Sequence, residues 1–297
     1  MKLAAIDIGS NAARLLISEA TTDEKGNTSF SKVSLTRVPL RLGFEVFDTR
    51  MISDHKRELL LHTMKAFINL LHAYEVKYLK ACATSAMRDA TNSKEILEII
   101  RKETGIEIEI ISGSQEASFI FENHVAEGLD KDHSYLYIDV GGGSTELTFF
   151  SNNQLVFNDS FNIGTIRILK NQVSDQAWDE IKSDIKKKTR SHKEVTAIGS
   201  GGNINKVFSL SKRKDGRPLS IELLRDYYKE LSNVPLKDRI AIYKLREDRA
   251  DVIVPALQIY VNVMRWAGSS QIYVPKIGLA DGLVQHLWME VKNQVVS

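Results

Sequence analysis

Two segments of the chain place an acid, glycines and small polar side chains directly after an apolar run. The first is AIDIGSN at residues 5–11, and the second is YIDVGGGSTE at residues 137–146. Glycine lets backbone N–H groups converge on a phosphate without Cβ clashes. A carboxylate at the end of the preceding strand is placed to hold a hydrated divalent cation. One Asp-x-Gly is also typical of a plain hairpin turn, but two copies favour a metal-assisted phosphate site.

The two copies stand half a chain apart. Asp7 and Asp139 are separated by 139 − 7 = 132 residues, and a chain of 297 residues corresponds to about two domains. We therefore predict one domain over residues 1–128 and a second over residues 129–297, joined within the polar segment EGLDKDH at 127–133. The last helix is a candidate to pack back on the first domain.

Two further turns add candidate phosphate ligands. IGSGGN at 198–203 follows a strand and leads into a helix, where N–H groups can meet a phosphate or a nucleoside. A close packing turn is the alternative. CATSAMRDATN at 82–92 ends a strand at Thr84 and Ser85, and Arg88 follows in the next turn. Arginine suits bidentate binding of phosphate, although a capped helix with an exposed arginine has the same pattern.

Glu116 belongs to a further candidate site. IISGSQEASFIF at 110–121 predicts a helix capped by Ser112 or Ser114, with Glu116 in its first turn. An acid at that position also complements the helix dipole without any catalytic role. The motif alone therefore leaves a structural and a functional interpretation open.

These segments belong to an alternation of short apolar runs and helical patterns, which is typical of an α/β protein. Ligands of open α/β sheets bind at the carboxyl ends of strands, where several of the runs end in Asp, Thr-Ser or Gly. The predicted strands are 2–7, 13–20, 78–84, 106–111, 134–140, 146–150 and 195–200. The predicted helices are 54–73, 93–104, 114–128, 174–191, 203–211, 220–232, 248–268 and 279–293.

Two of these helices carry specific expectations. Ser53 caps the helix 54–73, which presents one apolar face made of Leu60, Met64, Phe67 and Leu71. Pro255 indicates either a kink within 248–268 or a helix that begins near the proline.

The composition is that of an ordinary globular protein, with 43% hydrophobic and 26% charged residues. A net charge of +2, from 40 basic and 38 acidic residues, argues against a dedicated nucleic-acid-binding protein. One cysteine, Cys82, excludes an internal disulfide framework and suits a reducing compartment. The N-terminus lacks the pattern of a secretory signal, and no long uncharged apolar run predicts a membrane span. We expect a cytoplasmic protein that binds neither nucleic acid nor membranes.

Together the motifs resemble the exopolyphosphatase/guanosine pentaphosphate phosphohydrolase family. They cover nearly the whole chain in the family's order: AAIDIGSNAARL, ATSAMRDATN, IISGSQEA, YIDVGGGSTEL, FNIGTIR, AIGSGGN, DRADVIVPALQI and GLADGL. The resemblance implies an α/β fold of two duplicated ribonuclease-H-like domains of the actin-like ATPase superfamily, with an interdomain cleft. It also implies a short form without the C-terminal HD-type extension, and a homodimer.

The resemblance assigns a role to each candidate residue. Glu116 is expected to be the general base that activates the attacking water, and Mg²⁺ is expected on Asp139, Glu146 and Asp7. The expected phosphate-binding residues are Ser10, Asn11, Arg14, Thr84, Ser85, Arg88, Gly141, Gly142, Gly143, Ser144, Thr145, Gly201 and Gly202. For a polyanionic substrate, the favoured candidates for a basic channel are Arg41 and Arg167.

Three positions depart from the family's usual pattern. Ala12 stands where a serine is usual, Asn203 stands where a threonine is common, and Ala280-Asp281 replaces an Arg-Glu pair. We expect these differences to affect the substrate preference more than the chemistry.

The implied reaction is magnesium-dependent hydrolysis of the terminal phosphoanhydride of inorganic polyphosphate, with release of orthophosphate. Guanosine pentaphosphate is the alternative substrate, because it also presents a terminal phosphoanhydride. A non-catalytic sensor of an alarmone or nucleotide and an actin-like ATP-dependent kinase are alternatives of other classes. The IISGSQEA helix counts against the kinase.

Overall fold

The computed structural model describes residues 1–121, 133–152, 154–192 and 194–296. The chain forms two compact units, one made of Met1–Asn123 with Leu279–Ser297 and the other of His124–Gly278. Residues 122–128 of the helix predicted over 114–128 lie outside the described part, as does nearly all of the predicted linker.

Strands and helices alternate along the chain. The strands are β1 (Lys2–Ile8), β2 (Ala13–Thr22), β3 (Thr28–Val38), β4 (Tyr78–Ala83), β5 (Glu109–Ile110), β6 (Ser134–Val140), β7 (Thr145–Ser151), β8 (Gln154–Phe161), β9 (Val195–Ser200), β10 (Leu219–Ser220) and β11 (Gln271–Tyr273). The helices are α1 (Gly43–Thr49), α2 (Asp54–Ala73), α3 (Ser85–Asp89), α4 (Ser93–Thr104), α5 (Gly113–Phe121), α6 (Thr165–Leu169), α7 (Asp175–Thr189), α8 (Gly202–Leu210), α9 (Ile221–Asn233), α10 (Leu236–Tyr243), α11 (Glu247–Ala250), α12 (Ile253–Ala267) and α13 (Leu279–Val296).

The first unit is built on a five-stranded mixed sheet with the order β3-β2-β1-β4-β5. β1, β2 and β3 pair antiparallel, whereas β4 runs parallel to β1 and β5 parallel to β4. The carboxyl ends of β1, β4 and β5 therefore meet at one edge of this sheet. The turns that carry the candidate residues of the first unit follow directly from that edge.

The second sheet repeats the topology of the first. Read from β8, its order β8-β7-β6-β9-β11 matches β3-β2-β1-β4-β5 strand for strand, and β10 adds an antiparallel strand beyond β11. In each sheet the pairing of the second strand with the outer strand shifts register, between Ile17 and Ser18 of β2 and between Phe149 and Phe150 of β7. These positions are 149 − 17 = 132 residues apart, the same offset that separates Asp7 from Asp139. The duplication therefore extends from the sequence to the sheet register.

Each unit has its own apolar core. In the first, α13 packs on β1, β2 and β4 through residues that recur every four positions and so share one helix face: Leu279, Leu283, Leu287 and Val291. In the second, α12 contacts α6, α7, α8 and α9 as well as β6 and β9. A helix surrounded in this way is expected to be apolar on nearly all sides.

Several local predictions are confirmed. The Ser53 side chain accepts a hydrogen bond from the Lys56 N–H and caps α2, and the four apolar residues of its predicted face are all buried. The helix predicted over 248–268 consists of α11 and α12, and Pro255 lies in the first turn of α12. The second interpretation of that proline is therefore confirmed, since the first turn has no partner for the N–H that proline lacks.

Other local predictions are wrong or incomplete. The strand predicted over 106–111 is reduced to Glu109–Ile110, because only Cys82 and Ala83 of β4 pair with it. The strands β3, β8, β10 and β11 are absent from the predicted strands, and all but β11 lie on the outside of their sheets. Among the described residues, none of the helices has the length and apolar character needed to span a membrane.

Candidate functional site

The turn between β1 and β2 brings two predicted site residues together. A hydrogen bond of 3.0 Å from the Gly9 N–H to the Ala12 carbonyl oxygen closes the turn. Asp7 and Arg14 lie opposite each other on the two strands. Arg14 Nη1 donates to Asp7 Oδ2 over 2.5 Å, and the Asp7 side chain is only 4% exposed. The predicted metal ligand and the predicted phosphate ligand thus form an ion pair.

Buried hydroxyl groups lie beside this turn. Ser10, Thr84 and Ser85 are all buried, and the Ser10 and Ser85 hydroxyl oxygens are 2.7 Å apart. The Thr84 N–H donates to the Ile8 carbonyl oxygen over 3.1 Å. These residues meet because β1 and β4 are parallel and end at the same sheet edge.

The backbone of this turn is held from one side. The Ser10 and Asn11 carbonyl oxygens accept hydrogen bonds of 2.8 and 2.9 Å from the N–H groups of Gly43 and Arg41. In a trans peptide, the carbonyl group and the following N–H point in opposite directions. The N–H groups of Asn11 and Ala12 therefore point away from the segment 41–43, as an anion-binding turn requires.

Arg88 links two of the predicted segments. Its Nη1 donates to the Ile111 carbonyl oxygen over 2.5 Å. Ile111 lies two residues before the start of α5, so this bond ties the turn after β4 to the helix that carries Glu116. The phosphate contact expected of Arg88 remains a prediction.

Glu116 lies in the first turn of α5, which begins with a capping box. Ser112 Oγ accepts a hydrogen bond of 3.2 Å from the Gln115 N–H, and Gln115 Oε1 accepts one of 2.8 Å from the Ser112 N–H. Of the two predicted caps, Ser112 is the one used. Glu116 itself is 8% exposed. A carboxylate that only complemented the helix dipole would gain nothing from burial, so its burial favours the functional interpretation.

The turn between β6 and β7 has the same backbone pattern and different side chains. The Gly141 N–H donates to the Ser144 carbonyl oxygen over 2.9 Å. Here the residue opposite Asp139 is Glu146, at the position equivalent to Arg14 because 146 − 14 = 132. A carboxylate oxygen of Asp139 lies within 4.8 Å of one of Glu146. Two acids therefore face each other where the first unit has an acid and a base.

This acidic pair fits a divalent cation. Glu146 is 2% exposed, and its Oε1 accepts a hydrogen bond of 2.9 Å from Ser160 Oγ. Two carboxylates this close repel each other unless a cation or a shared proton lies between them. Carboxylate oxygens are the ligands that Mg²⁺ prefers, usually one or two of them with several waters. The pair could therefore bind a metal ion.

The triple glycine is held from behind in the same way as the first turn. The Gly141 and Gly142 carbonyl oxygens accept hydrogen bonds of 3.0 and 2.9 Å from the N–H groups of residues 165 and 166. Arg167 Nε donates to the carbonyl oxygen of the third glycine over 2.8 Å. By the trans-peptide argument, the N–H groups of residues 142–144 point away from α6. Arg167 thereby supports the glycine turn, and its expected place in a basic channel remains a prediction.

Gly164 makes this close packing possible. A Cβ atom at Gly164 would lie 2.4 Å from the Gly142 carbonyl oxygen. Real Cβ atoms do not approach backbone oxygen so closely, so only glycine fits. The motif FNIGTIR therefore has a structural reason for its glycine.

Gly201 lies against the acidic pair. Its φ is +100°, and a Cβ atom there would lie 2.9 Å from Asp139 Oδ1. The Tyr260 hydroxyl, on α12, donates to the Ser200 carbonyl oxygen over 2.5 Å and fixes the start of this turn. Burial, with the nearby charge of Asp139, raises the pKa of Tyr260 well above its ordinary value.

Arg249 is a residue that sequence reasoning missed. Its guanidinium donates to the Gly202 carbonyl oxygen, and a Cβ atom at Gly202 would lie 2.9 Å from Arg249 Nη2. Because Gly202 has no side chain, the Arg249 guanidinium can pack against the first turn of α8. The motif DRADVIVPALQI contains Arg249, so the signal was present, although nothing in the spacing linked it to IGSGGN.

Two departures from the family pattern have structural explanations. Ala12 is buried and uses its carbonyl oxygen to close the first turn, which needs no side-chain hydroxyl. Asp281, on α13, forms an ion pair of 2.6 Å with Lys32 on β3. That contact joins α13 to the outer strand of the first sheet. Asn203 is the second residue of α8, and the structure gives no reason for it.

Comparison with known proteins decides the family. The Ppx/GppA phosphatase family matches residues 21–290 of the chain. The chain belongs to this family.

Two relatives of the chain have names that include a phosphatase activity. Exopolyphosphatase 1 of Mycobacterium tuberculosis is 25% identical over 304 aligned residues, which cover 96% of this chain and 87% of the relative. The bifunctional 3-dehydroquinate synthase/phosphatase of Fusobacterium nucleatum is 34% identical over 169 residues. That match covers 56% of this chain and only 25% of the relative.

Solved structures of Ppx/GppA proteins share the fold. An exopolyphosphatase from Cytophaga hutchinsonii is 23% identical, with a TM-score of 0.84 and coverage of 99% of this chain and 98% of that chain. The Aquifex aeolicus family member is 24% identical, with a TM-score of 0.76 and the same two coverages. The prediction of an α/β fold made of two duplicated domains is confirmed, since each unit has its own mixed sheet of the same topology. A phosphatase family also agrees with a duplicated glycine turn beside paired acids.

Proposed function

We propose that this Ppx/GppA family member is an exopolyphosphatase, which hydrolyses the terminal phosphoanhydride of inorganic polyphosphate and releases orthophosphate. The observation that carries the proposal is the pairing of Asp139 with the buried Glu146 beside the triple-glycine turn. A divalent cation and converging N–H groups are what a polyphosphate terminus requires, because phosphoryl transfer depends on positioning and charge neutralisation.

Mg²⁺ is the proposed cation, with Asp139 and Glu146 as its protein ligands. When bound, it would offset negative charge on the phosphate oxygens. The N–H groups of residues 142–144 are proposed to bind the same oxygens, since their carbonyl groups are held by α6 and Arg167. Ser144 and Thr145 lie within this turn, although Thr145 Oγ1 also donates to the Ile163 carbonyl oxygen over 2.5 Å.

Glu116 is the proposed general base. It would accept a proton from water while the water oxygen forms a bond to the terminal phosphorus, and the bond from that phosphorus to the bridging oxygen breaks. The leaving oxygen carries the electron pair away on the shortened chain. The family resemblance implies this role, and the burial of Glu116 in α5 supports a role beyond helix capping.

The residues of the first turn are proposed to bind phosphate as well. The N–H groups of Asn11 and Ala12 have the same backbone arrangement as those of the triple glycine. Ser10 and Ser85 supply paired hydroxyl groups beside them. Guanosine pentaphosphate is the second candidate substrate. The same N–H and hydroxyl groups favour it, because they would bind the terminal phosphates and not the rest of the molecule.

Phosphate release from long-chain polyphosphate, guanosine pentaphosphate and ATP, each with and without Mg²⁺, tests the proposal. We expect the fastest release from polyphosphate, only with the metal. Glu116→Gln should lower turnover by about 10²–10⁴-fold, whereas Glu109→Gln, an exposed acid of β5, should not. Release from none of the three substrates would refute an enzymatic role. Normal turnover of Glu116→Gln would refute its assignment as the base.

A further inference from the structure

We infer that Asp7 is not a metal ligand but a positioning residue that orients Arg14 toward phosphate. The inference deepens the proposed function and rests on it for the substrate. It differs from the sequence prediction, which placed Asp7 among the Mg²⁺ ligands. The observation behind it is the difference between two turns that share one backbone geometry.

The backbone equivalence of the two turns makes the comparison direct. Each is closed by an N–H to carbonyl bond across the same four positions, 3.0 Å at Gly9 and 2.9 Å at Gly141. In each, the acid at the end of the first strand faces the equivalent residue of the antiparallel second strand. Asp7 faces Arg14 in the first turn, and Asp139 faces Glu146 in the second. Differences in function between the turns must therefore come from side chains.

In the first turn, the charge of the buried acid is already compensated. Arg14 Nη1 lies 2.5 Å from Asp7 Oδ2, the distance of a strong charge-assisted hydrogen bond. A divalent cation on Asp7 would have to lie near the guanidinium, and like charges at such a separation repel strongly. In the second turn, the equivalent of Arg14 is Glu146, and the two acids together favour a cation.

The ion pair instead suits the orientation of the guanidinium. Asp7 is buried on β1, whereas the side chain of Arg14 is 33% exposed. A guanidinium is a planar fork whose donors match phosphate oxygens, and a carboxylate that binds one of its nitrogens fixes the plane of the others. Asp7 thereby restricts Arg14 to one orientation at the turn whose Asn11 and Ala12 N–H groups point outward.

Metal binding separates the two assignments without any need for turnover. Mn²⁺, as a substitute for Mg²⁺, is titrated calorimetrically into the full chain and its variants. We expect Asp139→Asn to weaken Mn²⁺ binding at least tenfold and Asp7→Asn to change it less than twofold. A tenfold loss in Asp7→Asn would overturn the inference.

A double-mutant cycle tests the positioning role. Asp7→Asn and Arg14→Gln should each raise the KM for polyphosphate by about tenfold, with a smaller change in kcat. The double variant should resemble Arg14→Gln alone, because Asp7 acts only through Arg14. Additive effects of the two substitutions would contradict the inference. If the wild type released no phosphate, the proposed function would fail while the Mn²⁺ titration still tested Asp7.

Discussion

Gly201→Ala should damage the second unit in two ways at once. The φ of +100° and ψ of 163° at Gly201 lie in a region that is essentially restricted to glycine. An alanine there costs roughly 1–3 kcal/mol of backbone strain. Its Cβ would also lie 2.9 Å from Asp139 Oδ1, and relief of such overpacking costs about 1–3 kcal/mol more.

The two terms give a measurable loss of stability. Together they lower the free energy of unfolding by roughly 2–6 kcal/mol, and each kcal/mol shifts the Tm of a unit of this size by about 2–4 °C. We therefore expect a decrease in Tm of roughly 5–20 °C by calorimetry. Displacement of the Asp139 carboxylate should also weaken Mn²⁺ binding by about tenfold, as disturbances around metal ligands do.

Gly216→Ala is the matched control in the same unit. Its φ is also positive, at +78°, but a Cβ atom there would meet no atom within 4 Å. We expect it to cost only about 1–2 kcal/mol and to leave Mn²⁺ binding unchanged. If both variants lost the same stability and both bound Mn²⁺ normally, the proposed contact between Gly201 and the metal-binding acid would be refuted.

Three further outcomes follow from single contacts. Tyr260→Phe removes the hydroxyl that donates to the buried Ser200 carbonyl oxygen. It should lower the free energy of unfolding by about 1–3 kcal/mol. An unchanged midpoint in a denaturant titration would contradict this. Gly164→Ala forces the glycine turn to move, because its Cβ would lie 2.4 Å from a backbone oxygen. Polyphosphate hydrolysis should therefore fall at least tenfold, and full activity would refute the packing argument. Burial raises the pKa of Cys82 to about 12, so the thiol keeps its proton below that pH. Iodoacetamide should therefore modify the native protein at pH 8 at least 100-fold more slowly than the unfolded chain. Equal rates would contradict this.

Local signals predicted much of the secondary structure. The capping hydroxyls of Ser53 and Ser112 mark the beginnings of helices, because their hydrogen bonds involve residues only three positions away. Amphipathic spacing likewise predicted the buried face of α2. Such features depend on neighbours in the sequence, so the sequence alone suffices to recognise them.

Edge strands and short parallel strands were harder to predict. β3 is half-exposed or exposed along most of its length, so it lacks the apolar run that marks a buried strand. Conversely, IEIEII has such a run but forms only a two-residue strand, because its length depends on how β4 ends beside it. In both cases the deciding contact lies on a distant part of the chain.

The sequence by itself determined that the chain is duplicated, that both halves carry a glycine turn after an acid, and which residue types are available for phosphate and metal. Their pairing was decided by the tertiary structure. Strand register places Arg14 opposite Asp7 and Glu146 opposite Asp139, and α6 holds the triple glycine so that its N–H groups point away. These arrangements arise from hydrogen bonds across strands and turns, whereas residue type only states which groups are able to form them.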